Sequence, residues 1–257
     1  MSEVKLAKPT IYLPIEIKAR EFRAKVLLAL MAARQGFRVY LGSKVSIDRL
    51  VREKSGNGGI YFYKGGKAAK DLHAIKQRTE RFVVLDEELG PAVQDLEYAY
   101  KRRIYPGTEE LIDKLYVIGD IHKDVIAHVR PELLGAVEVT GWPRVDLWRE
   151  DFKALHADEI QNLEARFGKF ILFSSDFGIL SEQTIAQEMT RLHLVKSSQE
   201  EYDYHEKSMR SAYADFLDFV ELVKCIDADL EFPPLIIRPH PSEDIRHWHR
   251  HLGALRR

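Results

Sequence analysis

Arg238, His240 and Ser242 bring a guanidinium, an imidazole and a hydroxyl together directly after the apolar run Leu235-Ile236-Ile237. That run, preceded by Pro233 and Pro234, predicts a short buried strand. Ser242-Glu243-Asp244 then has the chemistry of a helix start, with Ser242 as cap and two acids at the positive end of the dipole. Arg238, His240 and Pro241 therefore fall on a strand-to-helix turn beside outward-facing backbone N–H groups, a setting suited to phosphate. The plainer alternative is a surface loop in which His240 and Arg238 only fill hydrogen bonds.

Ligands of open parallel sheets bind beyond the carboxyl ends of the strands. Residues following each expected strand are thus the other candidates. Glu16, Lys18 and Arg20 follow the first strand, Asp86, Glu87 and Glu88 the fourth, and Gly141, Arg144 and Asp146 the sixth. Two groups are acid-rich and two are basic. A transfer from a phosphate-bearing donor to a hydroxyl uses such a set: a carboxylate takes the acceptor proton, while cations and helix N-termini hold the leaving phosphate. Each group also has a structural explanation. The three acids suit a helix N-terminus, Gly141-Trp142-Pro143-Arg144 suits a tight turn, and Glu16 with Arg20 suits an ion pair one helical turn apart. His247, His249 and His251 would splay to different faces of a helix, so no metal site is expected from them. Walker, dinucleotide-fingerprint and nucleophile-elbow patterns are absent from the sequence.

Alternating strands and helices must carry these groups. Strands are expected at 10–14, 37–42, 60–63, 81–85, 115–119 and 136–140, and later at 170–175 and 235–237. Helices fill the gaps. One spans Ala19 to Gln35 with Phe22, Val26, Leu27, Leu30 and Met31 on its apolar stripe; a second runs from Ile47 behind a Ser46 cap. A third starts at Lys67 and a fourth at Pro91. Gly56 to Gly59 reads as a turn. Strand–helix alternation of this kind predicts a doubly wound parallel sheet.

The chain has 257 residues, of which 45% are hydrophobic and 31% charged, ordinary proportions for a globular protein with a real core. Lys plus Arg number 39 against 40 acids, so no global field recruits nucleic acid. No apolar run approaches membrane-spanning length, and a cytoplasmic location is the default. The single cysteine, Cys225, excludes an internal disulfide and is expected as buried filler in an apolar helix. Residues 199–207 are strongly polar and read as a loop or a solvated helix. Two domains are expected, 1–150 and 151–257. The second shows only two strands before the end of the chain, so it reads as a shortened version of a longer architecture.

Ile11-Tyr12-Leu13-Pro14-Ile15-Glu16 with Ala19-Arg20-Glu21, Asp86-Glu87-Glu88-Leu89-Gly90, Thr140-Gly141-Trp142-Pro143-Arg144-Val145-Asp146 and Arg238-Pro239-His240-Pro241-Ser242-Glu243 together resemble bacterial surface-carbohydrate biosynthesis proteins. These are similar to GT-B glycosyltransferases, the capsule and lipopolysaccharide Kdo transferases among them. The resemblance implies an α/β, GT-B-like fold: an N-terminal Rossmann-like acceptor-side domain plus a partial Rossmann-like donor domain. It implies a glycosyltransferase moving a sugar, Kdo or another acidic sugar, from a nucleotide donor, CMP-linked first among the candidates. Glu87, then Glu88, would be the base. Arg238, His240, Pro241, Ser242 and Glu243 would hold the donor phosphate, and Glu16, Arg20, Gly141, Arg144, Ser174 and Ser175 would line the cleft. No cofactor or metal is expected beyond the nucleotide sugar. The partners implied are a glycan or glycolipid acceptor, with peripheral association at the cytoplasmic face of the inner membrane or with polysaccharide assembly enzymes. The alternatives are a UDP-sugar or CDP-polyol-dependent enzyme on the same fold, and a non-catalytic scaffold in polysaccharide assembly.

Overall fold

The computed structural model describes residues 8–53, 58–65, 69–87, 89, 95–104, 107–194, 199–229, 231–241, 243–253 and 255. Its contacts divide the chain into two units, Met1–Leu155 and His156–Arg257.

In the first unit, strands β1 (Thr10–Ile15), β2 (Arg38–Ser43), β3 (Ile60–Tyr63), β4 (Arg81–Leu85), β5 (Lys114–Val117) and β6 (Val137–Val139) form one sheet in the order β2-β1-β3-β4-β5-β6. Every neighbouring pair is parallel. The helices between them are α1 (Lys18–Arg34), α2 (Lys44–Glu53), α3 (Ala69–Lys76), α4 (Leu96–Arg103) and α5 (Asp120–Val129), with a short α6 (Pro143–Asp146) after β6. The chain moves from β1 outward to β2, then returns past β1 to β3. That reversal leaves a crevice between the carboxyl ends of β1 and β3, the topological switch point where ligands of such sheets bind.

The main core lies on one face of the sheet. Alternate strand residues (Tyr12, Tyr61, Tyr63, Phe82, Val84, Leu115 and Val117) meet Ile47 and Val51 of α2, Leu72 and Ile75 of α3, Tyr100 of α4 and Ile126 of α5. Tyr61 and Phe82 stack with centroids 5.7 Å apart. The other face receives α1, which packs on β1, β2 and α6. Here the expected amphipathic stripe is inverted. Phe22, Leu30 and Met31 are exposed, whereas Glu21, Ala24, Lys25 and Ala32 are buried. The apolar-inward rule fails at Glu21 because the Glu16 and Ile17 backbone N–H groups and Lys64 hold its carboxylate inside.

The second unit holds a two-stranded parallel sheet, β7 (Ile171–Ser174) beside β8 (Leu235–Arg238), with α7 (Ala157–Phe167), α8 (Glu182–Leu194), α9 (Gln199–Ala228) and α10 (Ile245–Leu252). Its core gathers Leu180, Phe216, Val220 and Trp248, with Phe173, Phe177 and Phe219 packed against them. The Phe173 and Phe219 rings lie 3.8 Å apart.

Several local expectations are corrected. The second helix begins at Lys44, and Ser43 rather than Ser46 supplies the cap, accepting from the Ser46 backbone N–H at 3.2 Å. Helix α4 starts at Leu96, where the Asp95 carboxylate accepts from the Tyr98 N–H at 2.8 Å. Pro91, Lys67 and the Gly56-Asn57 part of the expected turn lie outside the described residues. Of the two alternatives for the polar stretch 199–207, the helix is the one found: it belongs to the 30-residue helix α9. Cys225 is exposed, not buried. Phe216, Val220 and Val223 form the inward stripe of α9, and a position two residues past Val223 turns some 200° away from it. Among the described residues no helix is long and apolar enough to cross a membrane.

Candidate functional site

At the switch point the carboxyl ends of β1, β3 and β4 converge with the first turns of α1. Glu16 ends β1. Its carboxylate receives Lys44 Nζ at 2.8 Å, Lys64 Nζ at 3.1 Å and the Tyr63 hydroxyl at 2.5 Å. Burial pushes the Glu16 carboxyl up, but Lys44, Tyr63 and Lys64 together outweigh it and bring it down to about 2. Glu21, fully buried, turns back to accept the backbone N–H groups of Glu16 and Ile17 at 3.1 and 3.0 Å. It thereby satisfies two donors at the start of its own helix, and Lys64 approaches it at 3.3 Å.

One turn further along α1, Lys25 is only 1% exposed. Its Nζ lies 5.1 Å from the centre of the Phe62 ring and has no hydrogen-bond partner among the described residues. Burial depresses its pKa first, with the positive Lys64 and Arg144 adding to this against the attraction of Glu87 and Glu21. Glu87, after β4, is 2% exposed. Arg144 Nη2 stands 3.6 Å from Glu87 Oε2, within ion-pair range but beyond a hydrogen bond, so that oxygen is unpartnered among the described residues. Burial raises the Glu87 pKa, and the attraction of Lys25 and Arg144 does not fully offset it. The preceding Asp86 is engaged by Arg103 at 2.5 Å.

Gly141 and α6 close this side. Gly141 adopts φ +84°, a conformation that favours glycine, and Pro143 sits in the first turn of α6 where its fixed φ is preformed. The turn aims Arg144 over the Trp142 ring at 5.2 Å and toward Glu87. Arg144 Nε and Trp142 Nε1 are both buried without a hydrogen-bond partner among the described residues. The arrangement can take up a proton at Glu87 and hold an anion on the surrounding donors.

The sequence-selected residues fare differently. Glu16, Glu87, Gly141 and Arg144 belong to this edge; Arg20 is exposed on α1; Glu88 lies outside the described residues. In the second unit, Ser174 and Arg238 pair at the carboxyl ends of β7 and β8 and are both exposed, His240 is half-buried and Pro241 exposed. Ser242 lies outside the described residues, and the helix expected to start there begins at Ile245 behind Asp244, which accepts from the Arg246 N–H at 2.9 Å.

Glu243 is turned inward rather than toward a ligand. It accepts from Ser175 Oγ at 2.5 Å, Phe177 N at 2.8 Å, Gly178 N at 3.4 Å, His240 N at 3.3 Å and Trp248 Nε1 at 3.0 Å. Burial pushes this carboxyl up, but its donors, Ser175 foremost, hold it below the usual range. An internal carboxylate thus fills part of the donor array expected to meet phosphate.

Sequence reasoning passed over Lys25, Lys44, Tyr63, Lys64 and Trp142 as site residues. Lys64, directly after the strand expected at 60–63, and Trp142, between Gly141 and Arg144, carried a signal under the strand-end rule, whereas Lys25 sits in a helix at a position where an exposed lysine was the default.

These features define an α/β protein with a parallel six-stranded sheet, compatible with a Rossmann-like fold, bearing a charged site at its switch point. No family model matches the chain, and neither the curated proteins nor the solved structures contain a match.

Proposed function

We propose that the chain is a GT-B-type glycosyltransferase of surface polysaccharide assembly, moving a sugar from a CMP-linked donor to a hydroxyl acceptor at the cytoplasmic face of the membrane. One observation carries this: Glu87 is buried at the carboxyl end of a parallel sheet, with a raised pKa and an unpartnered carboxylate oxygen. A carboxylate with a raised pKa makes a stronger base than an ordinary surface acid. In the proposed step the acceptor hydroxyl gives its proton to Glu87 as its oxygen bonds to the anomeric carbon. The bond from that carbon to the donor phosphate breaks, and CMP leaves. In the second unit, taken by itself, Arg238 at the end of β8 and His240 just beyond it have the charge and hydrogen-bonding groups suited to a donor phosphate.

Thermal shift against CMP, CDP, UDP and their sugar conjugates tests the proposal. CMP is expected to raise the Tm, and His240→Ala to abolish that shift. Glu87→Gln should keep nucleotide binding and lose transfer. Preference for UDP or CDP replaces the CMP assignment with one of the alternative donors. No stabilisation by any nucleotide overturns the transferase proposal and favours the scaffold.

A further inference from the structure

Among the described residues the first unit's site brings five cations (Lys25, Lys44, Lys64, Arg103 and Arg144) to four carboxylates (Glu16, Glu21, Asp86 and Glu87), and Lys25 Nζ has no hydrogen-bond partner. Glu16 is taken by Lys44, Lys64 and Tyr63, Glu21 by Lys64 and two backbone amides, and Asp86 by Arg103. Lys25 and Arg144 are left to share Glu87, and they repel each other. A buried ammonium without a hydrogen bond is costly unless an anion comes to it. Among the described residues three donors here lack acceptors, Lys25 Nζ, Arg144 Nε and Trp142 Nε1, and one acceptor, Glu87 Oε2, lacks a donor. The Arg144 side chain is 24% exposed, so its outer atoms meet solvent, while its Nε and the other three unpartnered atoms are enclosed just behind them.

We propose that Lys25, Arg144 and Trp142 form an oxyanion subsite for the same substrate that presents its hydroxyl to Glu87, so that the acceptor is a hydroxy acid. A carboxylate or phosphate on that substrate accepts from the three donors, while its hydroxyl donates to Glu87 Oε2. The charge is then balanced and all four unpartnered atoms are satisfied. This rests on Glu87 being the proton acceptor of the proposed transfer.

The indole N–H resonance of Trp142 in the full chain is the test, assigned with Trp142→Phe among the three tryptophans. Glucuronate and glucose 6-phosphate are titrated as acidic probes, with glucose as the neutral control. At least one acid is expected to shift the Trp142 signal saturably and glucose is not; the tighter acid identifies carboxylate or phosphate as the anion. Lys25→Met should weaken that binding about tenfold or more, the loss of a charged hydrogen bond. Arg144→Gln, at the solvent edge, should do the same and serves where Lys25→Met does not fold. Equal shifts with glucose, no shift with either acid, or unchanged affinity in Arg144→Gln overturns the subsite. Acid binding without transfer from any nucleotide sugar supports the subsite and overturns the transferase proposal alone. Transfer to a neutral sugar with no acid-specific shift does the reverse.

Discussion

Ser175 donates its hydroxyl to the buried carboxylate of Glu243 at 2.5 Å across 68 positions of sequence. The bond ties the segment after β7 to the turn after β8, and Trp248 of α10 reaches the same carboxylate at 3.0 Å. Glu243 therefore organises the second unit from within, holding two strand ends and a helix around one internal anion.

Replacing Glu243 with Gln keeps the shape but removes the charge and turns a donor toward the existing donors. A loss of about 2–3 kcal/mol in unfolding free energy is expected, measured by urea denaturation. Ser175→Ala leaves the other donors in place and should cost only about 1 kcal/mol. A Glu243→Gln protein as stable as the parent would show that the hub does not hold the unit.

Glu16 gives the first unit a defined acid sensitivity. Its carboxyl lies near 4.5 when free and about 2 in the fold. A depressed folded value means the group contributes stability above the free value. That contribution is lost as pH falls from about 4.5 toward 2. Because the side chain is 28% exposed, solvent screening limits the contribution to roughly 1 kcal/mol. Comparing the pH dependence of stability for the parent and Glu16→Gln should show the difference closing across that window.

Lys25 contributes unfavourably to stability in the ligand-free protein. Lys25→Met keeps length and packing against Phe62 and removes an unpartnered buried ammonium. Stability should rise by about 1 kcal/mol, read as a higher Tm, while the anion binding proposed above is weakened. A lower Tm would mean that the Lys25–Glu87 attraction outweighs the burial cost.

Gly59 permits the approach of β1 and β3. It adopts φ +95°, and a Cβ there would lie 2.7 Å from the Thr10 carbonyl oxygen and 3.0 Å from Thr10 Cβ. Gly59→Ala should destabilise the protein by about 1–3 kcal/mol in equilibrium unfolding, because backbone rather than a flexible side chain must give way.

Element type was legible from the chain because these strands are short apolar runs: Ile60 to Tyr63, Arg81 to Leu85 and Leu235 to Ile237 each recur as strands in the fold, although the last is half-buried rather than buried as expected. Strand-to-helix alternation likewise implied a parallel sheet, since such crossovers return the chain in the same direction. The rule that ligands meet strand ends points to Glu16, Glu87 and Arg144 from the sequence itself. Helix starts were less legible, because Ser43, Asp95 and Asp244 compete locally with other capping residues.

Three-dimensional packing alone decided which side of α1 faces inward and what Glu243 does. Hydrophobic periodicity assigns Phe22, Leu30 and Met31 to the interior, yet Glu21 and Lys25 are buried there. The oppositely charged groups near them, Lys64 for Glu21 and Glu87 for Lys25, come from segments distant in sequence, and no window along the chain contains both sides of those interactions. Glu243 reads as a helix-start acid locally, but Ser175 and Phe177 arrive from 68 and 66 positions away to enclose it. Local propensity follows from neighbours along the chain, whereas the state of a buried charge depends on everything the fold brings around it.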